Sequence, residues 1–368
     1  MKNIKILIVV DQLEVGGAGR VCSILANGLA ERNYQVCVCT AVKYHSIQYP
    51  LLENVEIKEW YDPEPIRHNI FGKALNMYNR FKYYRRALNE YKPNIIIAFT
   101  HFMYAYVKCW GYGYHIPIIA SDHTSMGRDL GSIANYIRHK YYAKADAVTI
   151  LTNKDYNLIG DSLPNRIVVY NPLTFDVNLK NHDRCNTILC VGRLDYWLVK
   201  GFDIMIEMWA EIANRHPEWR LELVGPGSAE SIVRLQDLAE KFEVKDQVVF
   251  RGNQTDMLSV YQNASIFALP SRVEGFPMVL LEAMSQGCAC LSFSMQGAIA
   301  EIINDGVDGE IVRDDDKHNF IRKMEALIVD SEKRERLSNA ARTNVSRFSK
   351  DKFIDKWEYI IHKVLNTR

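Results

Sequence analysis

The chain has 368 residues, 48% of them apolar, more than one hydrophobic core usually serves, so two globular domains are expected. Formal charge is only +1, but residues 1–176 carry 20 Lys and Arg against 15 Asp and Glu, and residues 177–368 carry 25 against 29. An asymmetry this small does not imply nucleic acid; it leaves room for a phosphate-bearing ligand or an anionic membrane on the N-terminal side.

The opening run in "MKNIKILIVVDQ" stops at Asp11 after seven residues, too short for a signal-peptide core, and reads as a first buried strand. No later window approaches the roughly 20 apolar residues of a bilayer span, so a cytoplasmic protein is expected, with a peripheral place on the inner face of the plasma membrane as a further possibility. Eight cysteines, at 22, 37, 39, 109, 185, 190, 288 and 290, form no CxxC pair and no zinc-spaced cluster with histidine; they read as reduced core residues.

Strand candidates follow in order: Ile4–Val10, Gln35–Thr40, Ile95–Phe99, Ile116–Ala120, Ala147–Leu151 and Ile167–Tyr170, then Thr187–Val191, Trp219–Val224, Val248–Arg251, Ile266–Leu269 and Ala289–Phe293. Amphipathic stretches alternate with them, among them Ala18–Arg32, Phe202–Arg215, Ala229–Phe242 and Asn319–Val329. Continuous apolar strands linked through helices imply parallel sheets covered on both faces, and the pattern restarts near residue 187. The expectation is α/β: two doubly wound, Rossmann-like domains, 1–176 and 177–348, facing a ligand cleft. A last helix, 349–368, turns Phe353, Trp357, Ile360, Ile361 and Val364 to one side and crosses back to the first domain.

Three glycine-bearing turns follow strands: "EVGGAGR", "VGRLDYWLVKG" and "VGPGS". Glycine admits a ligand close to the backbone, and a helix starting there offers free N–H groups to phosphate, yet any α/β protein favours such turns. The full GxGxxG arrangement and its ribose-binding acid are missing, which disfavours a nicotinamide or flavin enzyme. In the second turn Arg193 and Lys200 form a cation pair suited to a diphosphate, or else an ordinary solvated loop. In "SRVEGFPMVLLEAMSQG", Glu274 precedes a helix start at Gly275-Phe276-Pro277, and Glu282 sits among apolar residues where an unpaired carboxylate is costly, so ligand hydroxyls are expected to satisfy it. The acidic run at 314–316 reads as a helix cap, and no metal or other cofactor is expected.

The stretch from Glu274 to Glu282 resembles the E-x7-E motif of retaining GT-B glycosyltransferases, in particular family 4. "GGAGR", "ASDHTS", "VVYNP", "LVGPGS" and "GAIAEIINDGVDG" appear in the family's order, so the resemblance spans nearly the whole chain and is loose over 42–115. It implies a nucleotide-sugar donor on the C-terminal domain and a saccharide or lipid-linked saccharide acceptor on the N-terminal one. By the same resemblance, Glu282 would bind the ribose, Glu274 would read the sugar, and Arg193 and Lys200 would neutralise the diphosphate. Backbone at Gly275, Phe276, Pro277, Met278, Gly16, Gly17 and Gly225 would approach phosphate or sugar, and Arg251 and Gly252 would line the base. His123 would face the reacting centre, though without the resemblance it reads rather as a hydrogen-bonded strand-end histidine, and Asn171 would shape a hinge. The implied reaction is hexose or N-acetylhexosamine transfer with retention, UDP-sugar before GDP-sugar, in cell-surface polysaccharide assembly. A nucleotide-sugar epimerase or hydrolase, and a silent sugar-nucleotide-binding subunit, are the rival readings. The basic, aromatic segment 66–92, with Arg67, Lys73, Arg80, Lys82, Arg85 and Arg86, is either a membrane-facing helix or a sheet cover with a solvated basic face.

Overall fold

A computed structural model describes residues 4–13, 16–40, 49–59, 70–180, 183–295 and 298–367. The chain divides into two compact units, Met1–Pro172 with Lys350–Arg368, and Leu173–Ser349, so the division falls after Pro172 rather than after 176.

Among the described residues, unit 1 holds seven parallel strands: β1 (Lys5–Val10), β2 (Gln35–Thr40), β3 (Glu56–Glu59), β4 (Ile95–Phe99), β5 (Ile118–Ser121), β6 (Ala147–Ile150) and β7 (Arg166–Val168). Their order is β3-β2-β1-β4-β5-β6-β7. Five consecutive buried residues in each of β1, β2 and β4 show why these runs are apolar throughout: helices cover both faces. Unit 2 holds β8 (Cys185–Val191), β9 (Arg220–Val224), β10 (Val248–Gly252), β11 (Ala264–Leu269), β12 (Ala289–Phe293) and β13 (Glu310–Val312), in the order β10-β9-β8-β11-β12-β13. Its core is dense in aromatics, with Phe202, Trp209, Phe267 and Phe320 essentially sealed from water. Burying a Phe-sized side chain contributes about 1.5–3 kcal/mol, so these anchors hold the helices against the sheet.

The C-terminal helix Lys350–Asn366 belongs to unit 1. It buries Phe353, Ile354, Trp357, Ile360, Ile361 and Val364, and Gly28 of helix Gly17–Glu31 provides the notch for Ile354, whose Cδ1 would lie 2.5 Å from an added Cβ. Arg32 pairs with Asp355 and Glu358, and the Tyr34 hydroxyl donates to Glu358 at 2.9 Å. The cysteines are unpaired thiols; Cys109 and Cys185 are exposed, which corrects the expectation that all lie in the core.

Candidate active site

In unit 2 the carboxyl ends of β8 and β11 are joined by a short set of contacts. Gly201 adopts φ +70°, and a Cβ there would lie 2.0 Å from the Pro270 carbonyl oxygen, so only glycine lets the turn after β8 press on the end of β11. The Arg272 amide donates to the Val199 carbonyl at 2.8 Å, and the Arg272 guanidinium grips Asp203 with two bonds of 2.8 Å. With the two loops clamped, Lys200 Nζ donates to Glu274 Oε1 at 2.7 Å, and Ser271 donates to the same oxygen at 2.8 Å. The lysine stem runs past Gly192, where a Cβ would stand 3.3 Å from its Cγ and Cδ. The turn runs through the helical segments Leu194–Tyr196 and Trp197–Lys200, at the end of which Lys200 reaches Glu274.

Arg193 is exposed, with its guanidinium over the Tyr196 ring at 5.0 Å and no ion pair to another described residue. Beyond Glu274 and Gly275, Phe276 is buried edge-to-face on Phe348 at 5.4 Å, and this sets Pro277 as the N-cap of helix Met278–Gln286. Pro277 supplies no side-chain acceptor, so the first amides of that helix have no capping group. Gly225, φ +146°, has no room for a Cβ beside the Gly192 carbonyl, and its amide donates to Gly252 at 2.9 Å. Arg251 is exposed and leans toward Glu222 at 3.4 Å.

Glu282 differs from the sequence-based argument. It is 2% exposed, and its two oxygens accept from the hydroxyls of Thr174 and Tyr261, each at 2.7 Å. Both oxygens thus have hydroxyl partners within the protein itself. Tyr261 is itself fully buried, and its hydroxyl finds in Glu282 the acceptor that a buried tyrosine needs. The acidic run is likewise committed: Asp316 caps helix Lys317–Val329 through the Asn319 amide at 3.0 Å, and Asp314 accepts from Ser294 and the Met295 amide.

In unit 1, Gly16 (φ +130°) is the N-cap of helix Gly17–Glu31 and Gly17 its first residue, and among the described residues no atom lies within 4 Å of a Cβ added at Gly16. His123 follows β5 and stacks on Phe99 at 4.7 Å with its plane tilted by 10°. Thr149 donates to the Ser121 hydroxyl at 2.8 Å, and that hydroxyl lies 2.9 Å from His123 Nε2. Burial pushes the imidazole pKa down to about 4, against weaker opposing effects from the Asp122 charge and the Asn171 side chain. It is therefore neutral at pH 7. Next to it Asp122 and Arg138, 2% and 0% exposed at the side chain, form an ion pair of 2.8 Å. Arg138 further donates to the carbonyls of Thr124 and Ser125 at 2.7 Å each and of Arg128 at 3.1 Å, and so fixes the loop after His123. Neither residue was singled out from the sequence, which offers no sign that a surface-type pair is sunk here.

In the segment 66–92, Arg67 lies outside the described residues, as do the side chains of Phe71 and Lys73. Helix Ile70–Tyr91 buries Tyr84, Ala87, Leu88 and Tyr91. Arg85 donates to the Trp110 and Tyr112 carbonyls and lies over Tyr114 at 4.7 Å, and Arg86 pairs with Glu90 at 2.7 Å. Half-buried Arg80 lines a small apolar cavity, whereas Leu75, Met77, Tyr78 and Lys82 are exposed. Among the described residues no helix is long and apolar enough to cross a membrane.

The model of the Glycosyltransferase Family 4 domain matches residues 15–173, and that of Glycosyl transferases group 1 matches residues 174–344. The two matches meet at the division between the units and together take in nearly the whole chain: it belongs to the family 4 type of GT-B glycosyltransferases. The chain is 25% identical over 370 residues to an amylovoran biosynthesis glycosyltransferase of Erwinia amylovora, covering 97% of this chain and 99% of the relative. It is also 25% identical to a Campylobacter jejuni α-1,4-N-acetyl-D-galactosaminyltransferase that acts on an undecaprenol-diphosphate-linked saccharide, covering 98% and 99%. An uncharacterized Haemophilus influenzae glycosyltransferase is 29% identical over 208 residues, a stretch covering only 56% of either chain. The fold matches that of the Anabaena HepE structure holding UDP and glucose, with a TM-score of 0.79, 18% identity, and coverage of 98% and 100%.

Proposed function

We propose that this glycosyltransferase, whose relatives build surface polysaccharide and lipopolysaccharide, moves a hexose or N-acetylhexosamine from a UDP-sugar, with a GDP-sugar as second choice. The acceptor is a hydroxyl of a glycan or lipid-linked saccharide, and the anomeric configuration is retained. One observation carries the reading: Lys200 and Glu274 meet at the carboxyl edge of the unit 2 sheet, in the stretch that leads into an uncapped helix start. Without ligand, each neutralises the other. A diphosphate draws Lys200 and Arg193 to itself, and Glu274 is released to accept from sugar hydroxyls. The amides at Met278 and Val279 complete an anion-binding helix start.

In the reaction the bond between C1 of the sugar and the leaving phosphate oxygen breaks, and a bond from C1 to the acceptor oxygen forms on the same face. The acceptor proton passes to the departing phosphate. The two cations stabilise charge that grows as the bond breaks. No metal is required in this reading, since Asp314 and Asp316 are committed to local structure. His123, neutral and fixed, serves as a hydrogen-bonding group of the sugar-facing edge rather than as a cation. Glu282 acts here by holding Thr174 and Tyr261. Support for UDP comes from the HepE complex, and support for a lipid-linked acceptor from the Campylobacter relative. A shallow anionic-membrane contact rests on Leu75, Met77, Tyr78 and Lys82 instead of the engaged Arg80, Arg85 and Arg86.

The test is a panel of UDP-, GDP- and ADP-sugars: a bound donor raises the melting temperature in proportion to the logarithm of its concentration. NMR of the product of an α-linked donor should show an α linkage. A β linkage, or sugar released equally fast without acceptor, would overturn the reading.

A further inference from the structure

Unit 2 has a polar cavity, about 490 Å³, at the opposite edge of its sheet from Lys200 and Glu274. Arg184 and Asn186 lie at the start of β8, Ser265 near the start of β11, and Gly287 just before β12. The opposite wall is helix Ser331–Val345, which presents Ser331, Arg334, Ser338, Asn339 and Arg342 at successive turns. The same helix buries Leu337, Ala341 and Val345, so the polar side chains it turns to the cavity stand beside its apolar contact face.

Three guanidinium groups share the cavity. Arg184 is held by the carbonyls of Ala264 (2.7 Å), Tyr261 (3.2 Å) and Gln286, and Arg334 by those of Leu327 (2.6 Å) and Ile328 (2.8 Å) and by the Trp219 ring. Carbonyl oxygens orient these groups and bring no full counter-charge. Arg342 is 6% exposed, and its Nη1 donates to Asn339 Oδ1 at 3.0 Å. The fold makes space for it: a Cβ on Gly287 would fall 2.3 Å from its nitrogens. One cation suffices to complement the C-terminal end of helix Met278–Gln286, and Arg184 on the Gln286 carbonyl already does so. Burial and then the neighbouring Arg184 charge lower the Arg342 pKa, against an opposing effect of Glu335, so the arginines repel one another. The acids that line the cavity, Asp183 and Glu335, are exposed.

We propose that this cavity binds a small phosphorylated metabolite, its phosphate received by Arg184 and Arg342 and its hydroxyls by the Ser and Asn side chains of the walls. Planar guanidinium forks match phosphate oxygens, and the volume is that of a small-molecule site. The site is distinct from the donor's, because it lies at the opposite ends of the same parallel strands.

Thermal shift and calorimetry on the full chain test this with glucose 6-phosphate and inorganic pyrophosphate as probes. The background is Arg193→Ala/Lys200→Ala, which weakens phosphate binding at the carboxyl edge. Glucose 6-phosphate should still stabilise this protein with saturable binding, and adding Arg342→Gln or Asn339→Asp should weaken it about tenfold or more, the loss expected for one charge-assisted bond. Asn339 is exposed and its replacement preserves the helix, so Asn339→Asp decides the matter if Arg342→Gln does not fold. Absence of binding in the double variant, affinity unchanged by Asn339→Asp, or binding of pyrophosphate alone would each overturn the proposal.

Discussion

At the carboxyl edge of the unit 2 sheet the charged groups lie near the surface and are paired with one another, Lys200 with Glu274 and Arg272 with Asp203. At the same edge of unit 1 the ions are sunk: Asp122 and Arg138 are out of contact with water, and the functional candidate beside them, His123, is uncharged. The first arrangement can exchange partners when an anion arrives, since a partly exposed ion pair is worth little by itself. The second is fixed before any ligand binds, because every bond in it is costly to break.

Separating these two behaviours is a matter of stability against rate. Arg138→Ala should show the largest stability effect, a loss of about 3–5 kcal/mol in denaturant unfolding, because a buried Asp122 is left without its partner; a loss below 1 kcal/mol would remove the contrast between the units. Lys200→Ala should leave stability within about 1 kcal/mol but lower kcat by about 10²–10³, the scale of removing one transition-state donor. Gly201→Ala should do some of both, since a Cβ meets the Pro270 carbonyl: about 2 kcal/mol of stability and a fall in kcat, read by calorimetry and steady-state rates. Tyr261→Phe removes one donor to Glu282 and should cost about 1–3 kcal/mol while sparing donor affinity; a donor Kd weakened tenfold without loss of stability would return Glu282 to the ribose.

The smallest effect concerns pH. His123 has a folded pKa of about 4 against an ordinary 6.5, so the unfolded chain takes up a proton that the folded one does not as pH falls from 6.5 toward 4. Its contribution is fully present above pH 6.5 and is lost progressively down to pH 4. The ring resonances of His123, followed by NMR, should titrate with a midpoint near 4, and a midpoint near 6.5 would mean that the imidazole is open to water.

Much of the fold was legible. Gln35–Thr40, Ile95–Phe99 and Ala289–Phe293 are legible with their boundaries because burial on both faces makes them largely apolar runs. Edge strands β3 and β13 escaped notice: Glu56 and Lys58 make the first look like a loop, and three residues carry too little pattern in the second. The site was legible as a list and less so as a set of contacts. Lys200 and Glu274 are 74 residues apart, and nothing local says that Gly201 presses on Pro270 and unites them. The apolar neighbours of Glu282 say that it needs partners, but nothing local says that Thr174 and Tyr261, 108 and 21 residues away, supply two of them.

The notch at Gly28 that receives Ile354 has a consequence for synthesis. Unit 1 begins with the first strand and is completed by residues 350–366, whereas unit 2 is one continuous stretch. On the ribosome, where N-terminal domains usually finish first, the order is reversed. The polypeptide for unit 2 emerges whole while the underside of helix Gly17–Glu31 still waits for its cover. A released chain that stops at residue 349 should present that apolar strip to chaperones while unit 2, whose residues are all present, folds.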